Sequence, residues 1–389
     1  MRIAFVYDAL YPYVRGGAER RYFELGKRLS ARHEVHYISW RHWSGPDPAF
    51  EQGMHLHSAG APRALYGADG KRTLNEAVSF STRLLPVLLR HRFDVIECSA
   101  TPYLPLYSTW LASRISGTRL IATWHEFWGE HWDDYLPHRR SVARAARGLE
   151  GGARRLGDLV VAVSPFTAGR MGLAADDPRL RIVGNGLPLE AIADAANAAD
   201  AFDVLYVGRL IDEKRVDLLL DAIALLRASL PALRCAIVGD GPERIALERQ
   251  AARLDLGNQV AFLGHVDDAA AFGLMKAAKV FVQPSMREGF GMTVAEAQAC
   301  GAVPVVVRSD ASAAPDLVRD GVDGVVVDAT PSAIAEAVLT LLRDPGRRAA
   351  ISIAARATAP SRGWDLLASR MEDVYLDALG GMAALAAAR

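Results

Sequence analysis

A chain of 389 residues is long for one domain and comfortable for two, each large enough to bury its own core. Its 45 basic and 45 acidic residues give a formal net charge of +0, and the sequence pI is near 7.2; this removes any bulk electrostatic drive toward nucleic acid. Cys98, Cys235 and Cys300 lie far apart without metal-ligand spacing, and no apolar run reaches membrane-spanning length. A soluble or peripheral protein of the reducing cytoplasm is the expectation, with neither a disulfide framework nor a zinc site.

Strand-like runs at 3–7, 35–38, 94–98, 120–123, 159–163 and 181–183 alternate with helical patterns, which predicts a parallel sheet covered by helices on both faces. The first run is too short and too soon followed by charge for a signal peptide. After it, Gly16-Gly17 leads into an amphipathic helix. The pair is either a turn between strand and helix or a source of backbone N–H groups for phosphate. The three-glycine dinucleotide spacing is absent.

His125 follows the 120–123 strand among Trp124, Glu126, Phe127 and Trp128. At a strand's C-terminal end it is placed to hydrogen-bond a sugar and stabilise developing charge, or it is a satisfied packing histidine. The aromatic residues form a sugar platform or a loop core. Over 137–157, Val142, Ala146, Leu149, Ala153 and Leu156 recur at helical spacing, opposite Arg140, Arg144, Arg147 and Arg154. That arginine face is either solvated or a peripheral contact with an anionic membrane surface. Ser164-Pro165 is a helix start, an N-cap followed by proline at the first helical position.

Residues 191–201, rich in alanine and aspartate, read as a linker. A second series of strands follows at 203–208, 235–238, 260–263, 280–283, 303–307 and 325–327, predicting a second doubly wound sheet. Gly208-Arg209 ends its first strand and Lys214 lies in the adjoining loop. An ammonium beside a guanidinium suits a diphosphate clamp, with simple loop solvation as the rival. Gly239-Asp240-Gly241-Pro242 reads mainly as a structural turn. No Asp-x-Asp pair suggests metal-held diphosphate, so a metal-independent reaction is expected.

The run 285–301 is the richest. After a buried strand ending at Pro284 it sets Glu288 and Glu296 around Gly289-Phe290-Gly291, with Thr293 opening a helix. The glycines let backbone N–H groups approach a diphosphate at the helix start. Glu288 is placed for sugar hydroxyls and Glu296 for a ribose diol. Thr293-x-x-Glu296 is also a capping box, which alone accounts for Glu296 but not for Glu288 or the glycines.

Together these pieces resemble the glycosyltransferase family 4 group of retaining, nucleotide-sugar-dependent enzymes. The resemblance also takes in Asn185-Gly186 and Phe262-Leu263-Gly264. It implies an α/β GT-B fold, with two Rossmann-like doubly wound parallel-sheet domains facing across a cleft: 1–190 on the acceptor side, 201–360 on the donor side, and a 361–389 helix carrying Tyr375 back to the first domain.

It implies that Glu288 contacts donor-sugar hydroxyls, Glu296 the ribose, Arg209 and Lys214 the diphosphate, and His125 the reacting sugar. The backbones of Gly17, Met292 and Thr293 would meet phosphate and that around Val266 the base, with Gly16, Gly289, Phe290 and Gly291 completing the donor loops. The implied partners are a UDP- or GDP-sugar donor and a sugar, lipid-linked or small-molecule hydroxyl acceptor, with no nucleic acid and no cofactor. Candidate acceptor segments by location are 40–44, 66–72 and 125–135. Arg215 departs from a usual glycine, Gln298 from a methionine and Asp316 from a glutamate. A nucleotide-sugar epimerase and a non-catalytic nucleotide-sugar-binding protein are the rival functions.

Overall fold

The computed structural model describes residues 1–65, 72–136 and 138–380. Most of the 66–72 acceptor candidate, and Pro137 at the expected start of the arginine helix, therefore lie outside the described residues. The chain forms two compact units, Met1–Gly186 together with the segment from 364 onward, and Leu187–Gly363.

In the first unit, β1 (Arg2–Val6), β2 (Glu34–Ser39), β3 (Ala49–Glu51), β4 (Met54–Ser58), β5 (Val95–Ser99), β6 (Arg119–Trp124), β7 (Leu159–Ala162) and β8 (Leu180–Ile182) make one sheet. Its order is β3-β4-β2-β1-β5-β6-β7-β8, with β3 antiparallel to β4 and every other pairing parallel. The β3–β4 hairpin has no counterpart in the sequence reading. Its two-residue turn, Gln52-Gly53, takes φ of +51° and +83°, the backbone a tight hairpin needs, but Gln-Gly is a weak signal for it.

The central strands are buried on both faces, and register places Phe5 between Tyr37 and Glu97. The helix Gly17–Leu29 packs against the terminal helix Trp364–Ala378, which belongs to this unit. All seven tryptophans, at 40, 43, 110, 124, 128, 132 and 364, also lie in it.

The second unit holds β9 (Val204–Val207), β10 (Cys235–Val238), β11 (Val260–Gly264), β12 (Val280–Gln283), β13 (Arg287–Glu288), β14 (Val303–Val307), β15 (Ala311–Ser312) and β16 (Val325–Val327). Six of these form a parallel sheet in the order β11-β10-β9-β12-β14-β16, while β13 and β15 pair separately. Alternation divides the core between the sheet's faces. Val204, Tyr206, Val280, Val282 and Val305 pack on one side and Leu205, Phe281 and Val306 on the other.

Two expectations change. Residues 191–201 are no bare linker: Leu189–Asp194 is helical, and Ala198 N–H donates to the Gly273 carbonyl at 3.0 Å, so the segment packs within the second unit. The arginine helix runs Arg140–Ala153 and buries Ala143, Glu150 and Ala153, whereas Val142 and Leu149 are exposed. Burying Glu150, whose carboxylate has loop N–H groups to satisfy, rotates the helix away from the orientation its apolar spacing suggests. Arg140, Arg144 and Arg147 are exposed, Arg147 pairing with Asp133, while Arg154 is half-buried and donates to the Met171 carbonyl, so the solvated face holds three of the four arginines. No described helix is long and apolar enough to cross a membrane.

Ser164 is the N-cap expected of it: its hydroxyl oxygen accepts from Thr167 N–H at 3.0 Å, with Pro165 at the first helical position. This cap is buried. Ser164→Ala should therefore cost about 1 kcal/mol in urea unfolding followed by tryptophan fluorescence, which reports on the first unit alone.

Candidate functional site

In the second unit the site grows from the C-terminal ends of parallel strands, where loops rather than regular backbone present side chains. β12 ends in a buried polar residue, Gln283. Its Nε2 donates to Ser285 Oγ at 2.8 Å and to Glu288 Oε1 at 2.6 Å, while its own Oε1 accepts from Thr293 Oγ1 at 3.4 Å. Lys214 Nζ donates to the same oxygen of Glu288, in an ion pair whose side chains are 15% and 14% exposed. Glu288 is thus anchored through Oε1, and Oε2 carries no hydrogen bond among the described residues.

The backbone around it is equally constrained. Met286 N–H donates to the Glu213 carbonyl at 2.9 Å, the Glu288 carbonyl accepts from Ala313 N–H at 2.8 Å, and the β13–β15 pairing holds the rest.

Beneath this cluster lies Tyr206, fully buried, its hydroxyl donating to the Arg209 carbonyl at 3.0 Å. Burial first, then the Glu288 carboxylate, pushes the phenol's pKa up, and Arg209 opposes the shift, so both charges stand around one ring. Among the described residues the exposed Arg209 guanidinium has no partner. A surface cation beside a paired, half-buried one supplies positive charge that an anionic ligand can claim.

Three close approaches hold the loops. A Cβ on Gly239 would fall 1.8 Å from the Gly208 carbonyl oxygen, one on Gly241 2.2 Å from that of Leu210, and one on Gly208 2.6 Å from the Tyr206 hydroxyl. The Gly239 turn is therefore structural, as expected.

The helix after Glu288 runs Met292–Cys300, and its N-cap is Gly291 at φ +98°, with no side-chain cap. Thr293 is the second helical residue rather than the cap. The capping-box alternative thereby fails, because a box requires the threonine at the N-cap. The N–H groups of Met292 and Thr293 have no partner among the described residues and sit at the positive end of the helix dipole. Glu296 is buried one turn further in. Val266 and Phe290 pack at the border of the same apolar core, and Asp267 caps the helix after Val266.

The departures from the family pattern resolve individually. Arg215 adopts φ +48°, the left-handed conformation for which a glycine is suited, and its guanidinium is held by Asp217 at 2.9 Å. Gln298, fully buried, donates to the carbonyls of Leu317 and Asp323 and accepts from Arg362, a polar splice where an apolar residue was expected. Burial raises the Asp316 carboxyl.

In the first unit, Gly16 caps the helix Gly17–Leu29 in extended conformation, and a Cβ there would lie 2.3 Å from Glu19 Oε2. A side chain there would have to displace the carboxylate of the acid one turn on. His125 follows β6, its ring edge-on to Tyr22 with centroids 6.0 Å apart and its Nε2 buried without a partner among the described residues. Burial, reinforced by Arg21, lowers its pKa to about 3, so the imidazole is neutral near pH 7.

The loop beyond is preorganised by Glu150. Its carboxylate accepts from the N–H groups of Trp128 and Gly129, each at 2.7 Å, and from the Tyr103 hydroxyl at 2.5 Å. Trp128, Trp132 and Tyr135 pack on one another with Trp128 centroids 4.7 and 4.6 Å from the other two, and all three remain half-buried. The rings are both a loop core and a surface.

Gln283, Ser285, Tyr206 and Glu150 were missed in the sequence reading. A polar residue ending the apolar run 280–282 was the available signal for Gln283; Glu150 looked like one more surface charge. His125 gives a pH prediction. Its folded pKa is below the unfolded value of about 6.5, so its full contribution to stability is present above that pH and lost as pH falls toward 3. His36 and His57, each lowered to about 4 mainly by burial, act in the same direction. Urea unfolding by tryptophan fluorescence should lose at most about 1.4 kcal/mol per pH unit through His125 between pH 6 and pH 3, with smaller, solvent-screened contributions from His36 and His57 between pH 6 and pH 4, and His125→Gln should reduce that slope.

The family model for Glycosyltransferase Family 4 matches residues 15–191, and that for Glycosyl transferases group 1 matches residues 190–358. The GDP-mannose-dependent alpha-(1-6)-phosphatidylinositol monomannoside mannosyltransferase of Mycolicibacterium smegmatis is 32% identical over 298 residues, 71% of this chain and 74% of that one. A D-inositol 3-phosphate glycosyltransferase of Thermomonospora curvata is 38% identical over 199 residues, 48% of this chain and 46% of that one. The match spans about half the length of this and similar curated relatives.

Among solved structures, sucrose-phosphate synthase (tll1590) from Thermosynechococcus elongatus superposes with a TM-score of 0.80 at 20% identity, covering 97% of this chain and 98% of that one. Anabaena Alr3699/HepE, in complex with UDP-glucose, gives 0.73 at 22% identity over 97% and 100%.

Proposed function

The chain belongs to glycosyltransferase family 4 and has the GT-B fold, and on that premise we propose that it moves a hexose from a UDP- or GDP-sugar to a hydroxyl acceptor with retention of anomeric configuration. The observation that carries this reading is the Lys214–Glu288 pair, braced by Gln283 and flanked by Arg209 and two N–H groups that have no partner among the described residues. Such a cluster joins an acceptor of sugar hydroxyl protons to donors for a diphosphate.

In the proposed reaction the Glu288 Oε2 accepts from donor-sugar hydroxyls, and Glu296 accepts from the ribose. Arg209, Lys214 and the N–H groups of Met292 and Thr293 neutralise charge as the sugar–phosphate bond breaks. These groups suit a metal-independent departure of the nucleoside diphosphate. The leaving phosphate oxygen takes the acceptor's proton on the face where the new bond forms, so no carboxylate nucleophile is required. Neutral His125 hydrogen-bonds near the reacting sugar, and Gly16 and Gly17 supply backbone donors to phosphate.

The mannosyltransferase relative is by its name GDP-mannose-dependent, and the Anabaena neighbour was solved with UDP-glucose, which supports a nucleotide-linked hexose without choosing the base. The acceptor is a sugar, a lipid-linked sugar or a small hydroxyl compound. In a thermal-shift series of UDP, GDP, ADP and their sugars, one nucleotide should raise the melting temperature above the rest.

With that donor, Lys214→Ala and Glu288→Ala should each lower the rate of nucleotide release about 100-fold or more while still melting cooperatively. Full activity in both variants would refute the proposal.

A further inference from the structure

Beneath the aromatic loop of the first unit lies a polar network that the proposed reaction does not use. Glu97, at the centre of the sheet on β5, is completely buried. Its Oε1 accepts from Thr123 Oγ1 at 2.7 Å and its Oε2 from the hydroxyl of Tyr375 in the terminal helix. Thr123 stands near the end of β6, two residues before His125, so a bond that holds Thr123 holds the backbone that leads into His125.

Arg21, in the helix that opens at Gly17, is equally buried. It donates from Nη1 to the Val183 carbonyl at 3.1 Å, to the Gly184 carbonyl and to Asn185 Oδ1 at 3.1 Å, and from Nη2 to Met371 Sδ of the terminal helix at 3.3 Å. Its neighbour Tyr22 meets the His125 ring. Four segments distant in sequence are therefore tied by buried polar bonds: the glycine-loop helix, β5–β6, residues 183–185 and the terminal helix.

A buried guanidinium and a buried carboxylate are costly to retain, and removing one partner leaves the other uncompensated. Apolar packing alone would hold these elements together, since Tyr22, Met371, Val374 and Leu367 already share one core. What polar bonds add is direction: each fixes a donor against a particular acceptor, which apolar contact does not.

We propose that Arg21, Glu97 and Tyr375 are positioning residues that fix His125 relative to the Gly16-Gly17 loop, making the terminal helix part of the first unit's reactive machinery. Tyr375 holds Glu97, Glu97 holds Thr123 and through it the end of β6. Arg21 holds the glycine-loop helix to the 183–185 segment, and its neighbour Tyr22 meets the His125 ring. The charges bear this out: burial and then Arg21 lower the His125 imidazole, and Arg21 opposes the burial that raises Glu97.

The test uses the full chain with Tyr375→Phe, which keeps the ring and removes one hydroxyl, and Arg21→Lys, which keeps the charge and loses the fork. Two readouts separate positioning from packing: the His125 ring signals in ¹H–¹³C spectra, and kcat against KM for nucleotide release from the best-binding sugar nucleotide. The expected result for both variants is a cooperative melt, displaced His125 ring signals, and kcat lower by about tenfold or more with KM for the donor within about twofold.

Unmoved His125 signals together with kcat within about twofold of the parent in Tyr375→Phe would overturn the proposal, and so would displaced signals without loss of kcat. Should Arg21→Lys fail to fold, Tyr375→Phe decides alone. The kinetic arm rests on the transferase reading; the spectroscopic arm does not. A parent chain that releases no nucleotide would therefore refute the transferase reading, while unmoved His125 signals would still refute this one.

Discussion

One oxygen of Glu288 accepts two donors, the Lys214 ammonium and the Gln283 amide, and the rest of the second unit's site is arranged around that junction. It draws together the end of β12, the short turn after β9 and the β13–β15 pairing. Saturating one carboxylate oxygen has two effects. It makes the rotamer of a loop acid definite, and it leaves the second oxygen as the acceptor available to a ligand. The same contact fixes the lysine ammonium in the loop, beside an arginine with no partner among the described residues. Loops held this way need no ligand to define them, which reduces the ordering cost of binding.

The first unit distributes charge differently. Arg21, Glu97 and Glu150 are fully buried, and each is matched to backbone or side-chain groups rather than to solvent. Around them burial keeps His125 neutral near pH 7. One unit thus presents charge for an anionic ligand, while the other presents a neutral imidazole and aromatic rings held by an internal carboxylate.

Much of this was legible in the amino acids, for reasons particular to each element. Strands such as 235–238, 280–283 and 303–307 could be placed because parallel strands buried on both faces read as short apolar runs. Gly208-Arg209, Lys214 and the Glu288–Glu296 segment could be placed because each stands just after such a strand. The β3–β4 hairpin was hidden by its Gln-Gly turn and by its alternating histidines.

The helix Arg140–Ala153 was misoriented because its apolar spacing carried less weight than one buried acid. Gly291 rather than Thr293 caps the helix at 292, since the left-handed turn required by the loop outweighs a side-chain cap. Networks such as Lys214–Glu288 and Arg21–Asn185 leave no local pattern, because their partners are brought together only by the fold.

The assignment of Glu288 Oε2 to the sugar and of Arg209 and Lys214 to the diphosphate is tested most directly by calorimetric titration of Glu288→Gln against the parent chain, using a nucleoside diphosphate and its matching sugar nucleotide. Replacement of the carboxylate should leave affinity for the bare diphosphate within about threefold and abolish any tighter binding of the sugar nucleotide. An undiminished preference for the sugar nucleotide in Glu288→Gln would contradict it.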